Sequence, residues 1–411
     1  MDELKGSYDR LKISRFKLDS LLDITLSINA NLPVAELLSK YESILRNNLS
    51  IGKVLIFKRS EKWECLLNCG FPAELERMDI ETRLIELSEI VCVTPDDGYE
   101  GVDIIIPVHN NNIPLAFVLI GDIEEEGTGM SPVLKHYNFI QILSRIIIVA
   151  IENKRLFRES LMQEAIKKEL ELAARMQMML IPDNRQMPQN SKLCVSGFYH
   201  PHQEVGGDYY DCIQLSAAKT GICIADVSGK GISAAILMSN FQASLRALFT
   251  HDISLETLII KLNSIVTVNA AGEKFITFFV ARYDNDSGLL EYINAAHNAP
   301  VLYNVASGET IFLEPSCVGL GMLDEIPGIV QGSIMIDQRS KLFCYTDGLV
   351  ELTNEDGVTF GTEEVEKCLT NEDEIDQNIN SIVKSQKILE GSIAIFDDIS
   401  ISIPIKIVSS Q

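Results

Sequence analysis

Three times in the second half of the chain a short apolar run stops on aspartate. GICIAD ends at Asp226, LFCYTD at Asp347 and SIAIFDD at Asp397 and Asp398. A fourth acidic motif precedes them, Gly206-Gly207-Asp208-Tyr209-Tyr210-Asp211. Apolar runs of this length read as buried strands, and a strand end is a rigid place from which to hold a ligand. One aspartate at a strand end is ordinarily a turn or cap residue; four such motifs in one domain constrain the fold much more. Two carboxylates ~4 Å apart repel by about 1 kcal/mol in water and about 4 kcal/mol at an effective dielectric of ~20. If the four meet, cations must accompany them, and Lys230 is the only basic residue inside the motifs. Oxygen ligands without His or Cys point to Mg²⁺ or Mn²⁺ rather than Zn²⁺.

Paired divalent ions bridged by a water make it a nucleophile near neutral pH and offset the negative charge of a phosphate ester. Hydrolysis of such esters is among the slowest uncatalysed reactions, so that help is needed. The chain has no Cys-x5-Arg loop of the kind a phosphocysteine enzyme uses. Lys230 lies in Ser-Gly-Lys-Gly ahead of a helix, where backbone N–H groups favour anions; it is a candidate for the substrate phosphate or a solvated lysine. The P-loop spacing is absent.

The 411 residues are enough for two or three domains. With 35 Lys+Arg against 58 Asp+Glu the net charge is −23, which repels phosphate backbones and anionic lipid. Nucleic acid is therefore excluded as the main partner. The opening MDELKGSYDR lacks the basic and apolar regions of a signal peptide. The longest apolar run, Ile140–Ile151, contains Arg145 and is too short to span a bilayer. No membrane insertion is expected. Nine scattered cysteines, of which only Cys65 and Cys69 are close in sequence, suit reduced thiols and a cytoplasmic location.

An α+β architecture follows from the pattern of runs, with units at 1–150 and 190–407 joined by a helical linker at 151–189. In the first unit Leu18–Leu32 and Val34–Leu49 have helical periodicity. Lys53–Lys58, Trp63–Asn68, Val102–Val108 and Ile113–Gly121 read as strands, the last two joined by a turn at His109-Asn110-Asn111-Asn112. Helix, sheet, hairpin and helix in this order resemble a GAF domain, which implies a sensing role; no residue nominates the ligand. From Pro132 to Ile181 the chain reads as helix, with Ser131 as cap and Pro182 as stop. Ile166, Leu170, Ala173 and Leu180 form a stripe flanked by Met162 and Met176. Such a stripe needs a cover, either a parallel helix of a second chain, giving a homodimer, or the chain's own domain. The second unit offers strands at Leu193–Tyr199, Gly221–Ala225, Phe275–Tyr283, Leu289–Ala295, Lys341–Tyr345 and Ile393–Ile403, and helices at Gly231–Phe249 and Leu255–Ala270.

The ordered set GGDYYD, ADVSGKGISAAILMSNFQASLRAL, FITFF, NAAHNAP, YTDGLVE and FDDIS is similar to the SpoIIE-type branch of protein phosphatase 2C-like serine/threonine phosphatases, over about residues 165–405. The resemblance implies an α-β-β-α sandwich of two antiparallel sheets with two Mn²⁺ or Mg²⁺ ions between them. It implies that Asp208 is the first-motif acid on or near a metal, that Asp226 bridges both ions, and that Val227 offers its carbonyl. Asp347 and Asp397 resemble the remaining ligands, with Asp398 an alternative to Asp397; Asp211 reads as structural. Ala296 and Ser400 stand where the family often has Gly and Thr. His297 is either a hydrogen-bonded core residue or a group facing the substrate phosphate. The implied activity is hydrolysis of phosphoserine or phosphothreonine on a STAS-domain anti-sigma-factor antagonist. Two rival readings are a non-catalytic partner-binding module of the same fold and a GGDEF-like nucleotide cyclase, suggested by Gly206-Gly207-Asp208.

Overall fold

The computed structural model describes residues 2–94, 97–110, 113–123, 132–188, 193–202, 204–353, 359, 361–371, 373–389 and 397–402. The chain divides into two compact units, 1–164 and 165–411. The expected cap Ser131 and the turn residues Asn111 and Asn112 lie outside the described residues.

The first unit contains helices α1 (Asp2–Asn29), α2 (Val34–Ser43) and α3 (Ile80–Arg83), and strands β1 (Ile51–Arg59), β2 (Trp63–Cys69), β3 (Val91–Cys92), β4 (Ile104–Asn110) and β5 (Ile113–Ile123). The strands form one antiparallel sheet in the order β2-β1-β5-β4-β3. Alternation along the strands divides the core between its two faces. Val54 and Ile56 of β1 join Ile104, Ile106, Val118 and Ile120 in the larger cluster. Leu55 and Phe57 join Ile105, Phe117 and Leu119 in the other. His109 and Asn110, expected in the turn, continue strand β4, since their backbones still pair with Pro114 and Ile113. Helix α4 (Pro132–Met178) begins here. Lys58 on β1, 3% exposed, meets Glu152 on α4 at 2.7 Å, a buried ion pair that fastens the helix to the sheet. The first unit is thus a five-stranded antiparallel sheet accompanied by helices.

The second unit takes up the end of α4 and continues through β6 (Gly197–His200), β7 (Tyr209–Gln214), β8 (Lys219–Val227), α5 (Ile232–Leu248), α6 (Leu255–Ala270), β9 (Ile276–Asp284), β10 (Leu289–Ala295), β11 (Val301–Asn304), β12 (Thr310–Phe312), β13 (Gly332–Met335), β14 (Ser340–Tyr345), α7 (Asp347–Val350), α8 (Glu363–Leu369), α9 (Ile375–Ser385) and β15 (Ile399–Ser402). Two antiparallel sheets result, β13-β10-β9-β8-β7 and β12-β11-β14-β15-β6. Leu342 and Cys344 of β14 join the cluster that takes in both faces of the first sheet and helices α5 and α6. Phe343 and Tyr345, one residue out of phase, join α8 and α9 on the outer side of the second sheet. This is an α-β-β-α sandwich. Helix α6 begins where expected because Ser254 caps it, its Oγ accepting from the Thr257 N–H at 3.1 Å. Among the described residues no helix is long and apolar enough to cross a membrane.

Candidate functional site

Strand register brings the acids together. Tyr209 pairs with Ala225, so Asp208 at the head of β7 and Asp226 at the tail of β8 share one end of the first sheet. Tyr345 pairs with Ile401, so Asp347 at the tail of β14 and Asp397 and Asp398 at the head of β15 share one end of the second. Two hydrogen bonds join these ends. Thr346 Oγ1 donates to Asp208 Oδ2 at 2.8 Å, and Gly207 N–H donates to Asp398 Oδ2 at 2.5 Å. The chain passes Asp398 closely enough to exclude side chains. A Cβ on Gly348 would stand 2.1 Å from the Asp398 carbonyl oxygen.

The five acids fall into two layers. Asp208 and Asp398 are buried, 1% and 6% exposed. Asp398 accepts from the N–H groups of His202, at 2.8 Å, and Gly207. Asp226, Asp347 and Asp397 are less deeply buried. Asp397 meets Lys230 Nζ at 2.9 Å. The two neighbouring acids therefore play different parts. Asp398 is committed to backbone donors inside, and Asp397 presents its carboxylate at the rim.

Burial first, and the neighbouring acids second, raise the carboxyl groups of the cluster. Burial, then Asp347, pushes Asp226 up to about 7, while a hydrogen bond with Asp208 works the other way. Asp208 is raised well above the usual carboxylate range by burial and by Asp226. Asp347 is raised by burial and by Asp397, with Lys230 lowering it. Among the described residues, no three His, Cys, Asp or Glu side chains are drawn together tightly enough to enclose an ion. The donor chemistry nonetheless fits hard divalent cations, being all oxygen, in negative excess and half open to solvent.

The remaining sequence candidates take distinct places. Val227 is the last residue of β8, and its carbonyl oxygen lies 3.0 Å from where a Gly207 side chain would begin. Asp211 is fully buried and accepts from Arg246 Nε at 2.7 Å and Nη2 at 3.1 Å, from Cys212 N–H, and from the Tyr209 hydroxyl. It is a structural acid. His297 is 2% exposed, with Nδ1 2.9 Å from Thr277 Oγ1 and its backbone N–H donating to Asn294 Oδ1 at 2.8 Å. Burial pushes its imidazole down to about 4, so it is neutral at pH 7. A buried neutral imidazole suits the core reading rather than contact with a phosphate. Ala296 sits at φ 54°, in the left-handed region, which explains a preference for glycine there.

Two residues of the site escaped sequence reasoning. Thr346, fully buried, also accepts from Ser400 N–H at 2.9 Å and so ties both sheets to Asp208. Gln177, in the last turn of α4, bonds both backbone groups of Gly206. Neither is marked by residue type; a threonine just before Asp347 was the only available signal.

Residues 216–403 match the family model described as Stage II sporulation protein E (SpoIIE). The chain is 29% identical over 195 residues to the phosphoserine phosphatase RsbU of Bacillus subtilis (strain 168), covering 47% of this chain and 57% of that protein. It is 26% identical over 191 residues to the phosphoserine phosphatase RsbP of the same organism, covering 46% of each. The chain thus spans about half the length of the curated relatives it matches. Among solved structures the SiaA-PP2C domain of Pseudomonas aeruginosa aligns with a TM-score of 0.50 at 19% identity, over 60% of this chain and 98% of that one. That likeness is one of fold and agrees with the two-sheet sandwich.

Proposed function

We propose that this chain, whose residues 216–403 match the SpoIIE family model, is a metal-dependent protein phosphatase that hydrolyses phosphoserine or phosphothreonine on a partner protein. The observation that carries the reading is the meeting of Asp208, Asp226, Asp347, Asp397 and Asp398 at one end of two stacked sheets. Asp226, the Val227 carbonyl, Asp347 and Asp397 would hold two Mn²⁺ or Mg²⁺ ions, with Asp208 and Asp398 bracing them from within. The bound ions would supply a nucleophilic water at neutral pH and positive charge against the phosphate.

The chain's own residues do the rest. Asp208, held by Thr346, stands beside Asp226 and backs it from within. Lys230 pairs with Asp397; once that carboxylate serves a metal, the ammonium is positioned to meet the substrate phosphate. The relatives RsbU and RsbP are phosphoserine phosphatases by name, which supports the substrate class. A phosphorylated STAS-domain protein is the proposed partner, in a cytoplasmic partner-switching system governing a sigma factor.

Regulation is assigned to the first unit and the long helix. Within the second unit, Ile166 of the stripe and Met176 beside it are 49% and 64% exposed. A second copy of the helix is the proposed cover, giving a homodimer. Ile166→Asp should shift light scattering from the dimer mass toward the monomer; an unchanged mass would remove this assembly.

The activity is tested by Mn²⁺-dependent hydrolysis of p-nitrophenyl phosphate and of a phosphoserine STAS-domain protein. Asp347→Asn should lower turnover at least about 100-fold. Turnover that needs no metal, or survives the substitution, contradicts the reading. Binding of the phosphoprotein without turnover would leave a capture module.

A further inference from the structure

Gln177 inverts the pattern of its surroundings. It is 7% exposed, whereas Met176, Met178 and Met179 beside it are 64%, 47% and 83% exposed. Its carboxamide is spent on a single residue. Nε2 donates to the Gly206 carbonyl at 2.6 Å, and Oε1 accepts from the Gly206 N–H at 3.0 Å. One side chain thereby does for Gly206 what a neighbouring strand would do. Only glycine fits at this position: a Cβ there would stand 2.2 Å from Tyr199 Oη and 2.4 Å from Asp398 Oδ2. The next residue, Gly207, donates to Asp398, and the one after is Asp208.

The apolar contact around this clamp is open. A groove of about 420 Å³ lies between Ala173, Met176 and Leu180 on the α4 side and Ile232, Ala235 and Ile236 on α5. Polar bonding to Gly206, rather than filled packing, therefore fixes the end of α4 against the acidic loop. Without the carboxamide two buried backbone groups lose their partners.

Resting on the phosphatase reading above, we infer that Gln177 is a positioning residue of the active site: it holds the Gly206–Asp208 loop, and through it Asp208 and Asp398, in the arrangement that sets the metal-holding acids. The last turn of α4 is then part of the catalytic unit, although it lies outside the 216–403 family match. A displacement of that turn would reach the acids directly.

The test uses the full chain. Gln177→Glu keeps the size and the acceptor for the Gly206 N–H, but sets a carboxylate oxygen against the Gly206 carbonyl. Gln177→Ala removes both bonds, and the exposed Met179→Gln is the control. Both Gln177 variants should lower kcat at least tenfold with KM for a phosphoserine protein changed less than twofold. They should weaken Mn²⁺ binding by calorimetry several-fold and speed amide exchange at residues 206–208. Met179→Gln should match the wild type in all three. Wild-type Mn²⁺ affinity and exchange in Gln177→Glu would overturn the inference. If the unaltered chain hydrolyses nothing, the phosphatase reading fails, while the binding and exchange measurements still decide the role of Gln177.

Discussion

Asp226→Asn is expected to abolish phosphoserine hydrolysis while making the metal-free protein more stable. The first effect follows from its place at the tail of β8, facing Asp347 and Asp397 and backed by Asp208. An amide supplies one weaker donor and no charge, so turnover should fall about 100- to 1,000-fold and Mn²⁺ binding should weaken with it. The second effect follows from the same electrostatics. A carboxyl pushed up to about 7 in the fold, against about 3.9 in an unfolded chain, contributes stability at low pH that is lost as pH rises through 7. The metal-free wild type should therefore lose stability between about pH 4 and 7, and Asp226→Asn should flatten that slope. Near pH 7 a gain of about 1–3 kcal/mol corresponds to a few degrees in the melting temperature. Thermal melts in EDTA across that range measure it. A variant less stable than the wild type at pH 7 would mean that the acids do not strain the site.

Arg246→Met should lower stability markedly although it lies outside the acidic cluster. Asp211 is fully buried, and Arg246, itself half exposed, supplies its counter-charge through two hydrogen bonds. Removing the guanidinium leaves a buried carboxylate with the Tyr209 hydroxyl and the Cys212 N–H alone. Deleting one member of a fully buried pair costs about 3–5 kcal/mol. Because water reaches the Arg246 side, about 2–3 kcal/mol is expected, a drop of roughly 5–10 °C in melting temperature. The double variant Arg246→Met, Asp211→Asn should recover part of it, since the orphaned charge is gone. A double variant no better than the single one would place the loss in helix packing instead.

The residues that carried most of the reading were legible because they are short-range. Helix α6 and strand β10 run over the expected Leu255–Ala270 and Leu289–Ala295, since periodicity and turn chemistry flank both. The acids were legible as apolar runs cut off by aspartate. Strand β7 was not, because Tyr-Tyr-Asp-Cys-Ile-Gln has no clean alternation; it is held by its pairing with β8. Strand β12 is exposed throughout, so it lacks the apolar face that marks a strand. Long-range bonds were invisible for a different reason. Gln177 meets the backbone of a residue 29 positions on, and Thr346 meets Asp208 across 138; no local pattern encodes either. Nor does any local pattern show that Asp398 accepts from the backbone N–H groups of His202 and Gly207, far away in sequence.

Crystals of the full chain soaked in Mn²⁺ and measured at the manganese absorption edge test the central claim most directly. The expected result is two anomalous peaks ligated by Asp226, Asp347 and Asp397, with Lys230 withdrawn from Asp397. Peaks elsewhere, with those three carboxylates left apart in an enzyme that still hydrolyses phosphoserine, would contradict it.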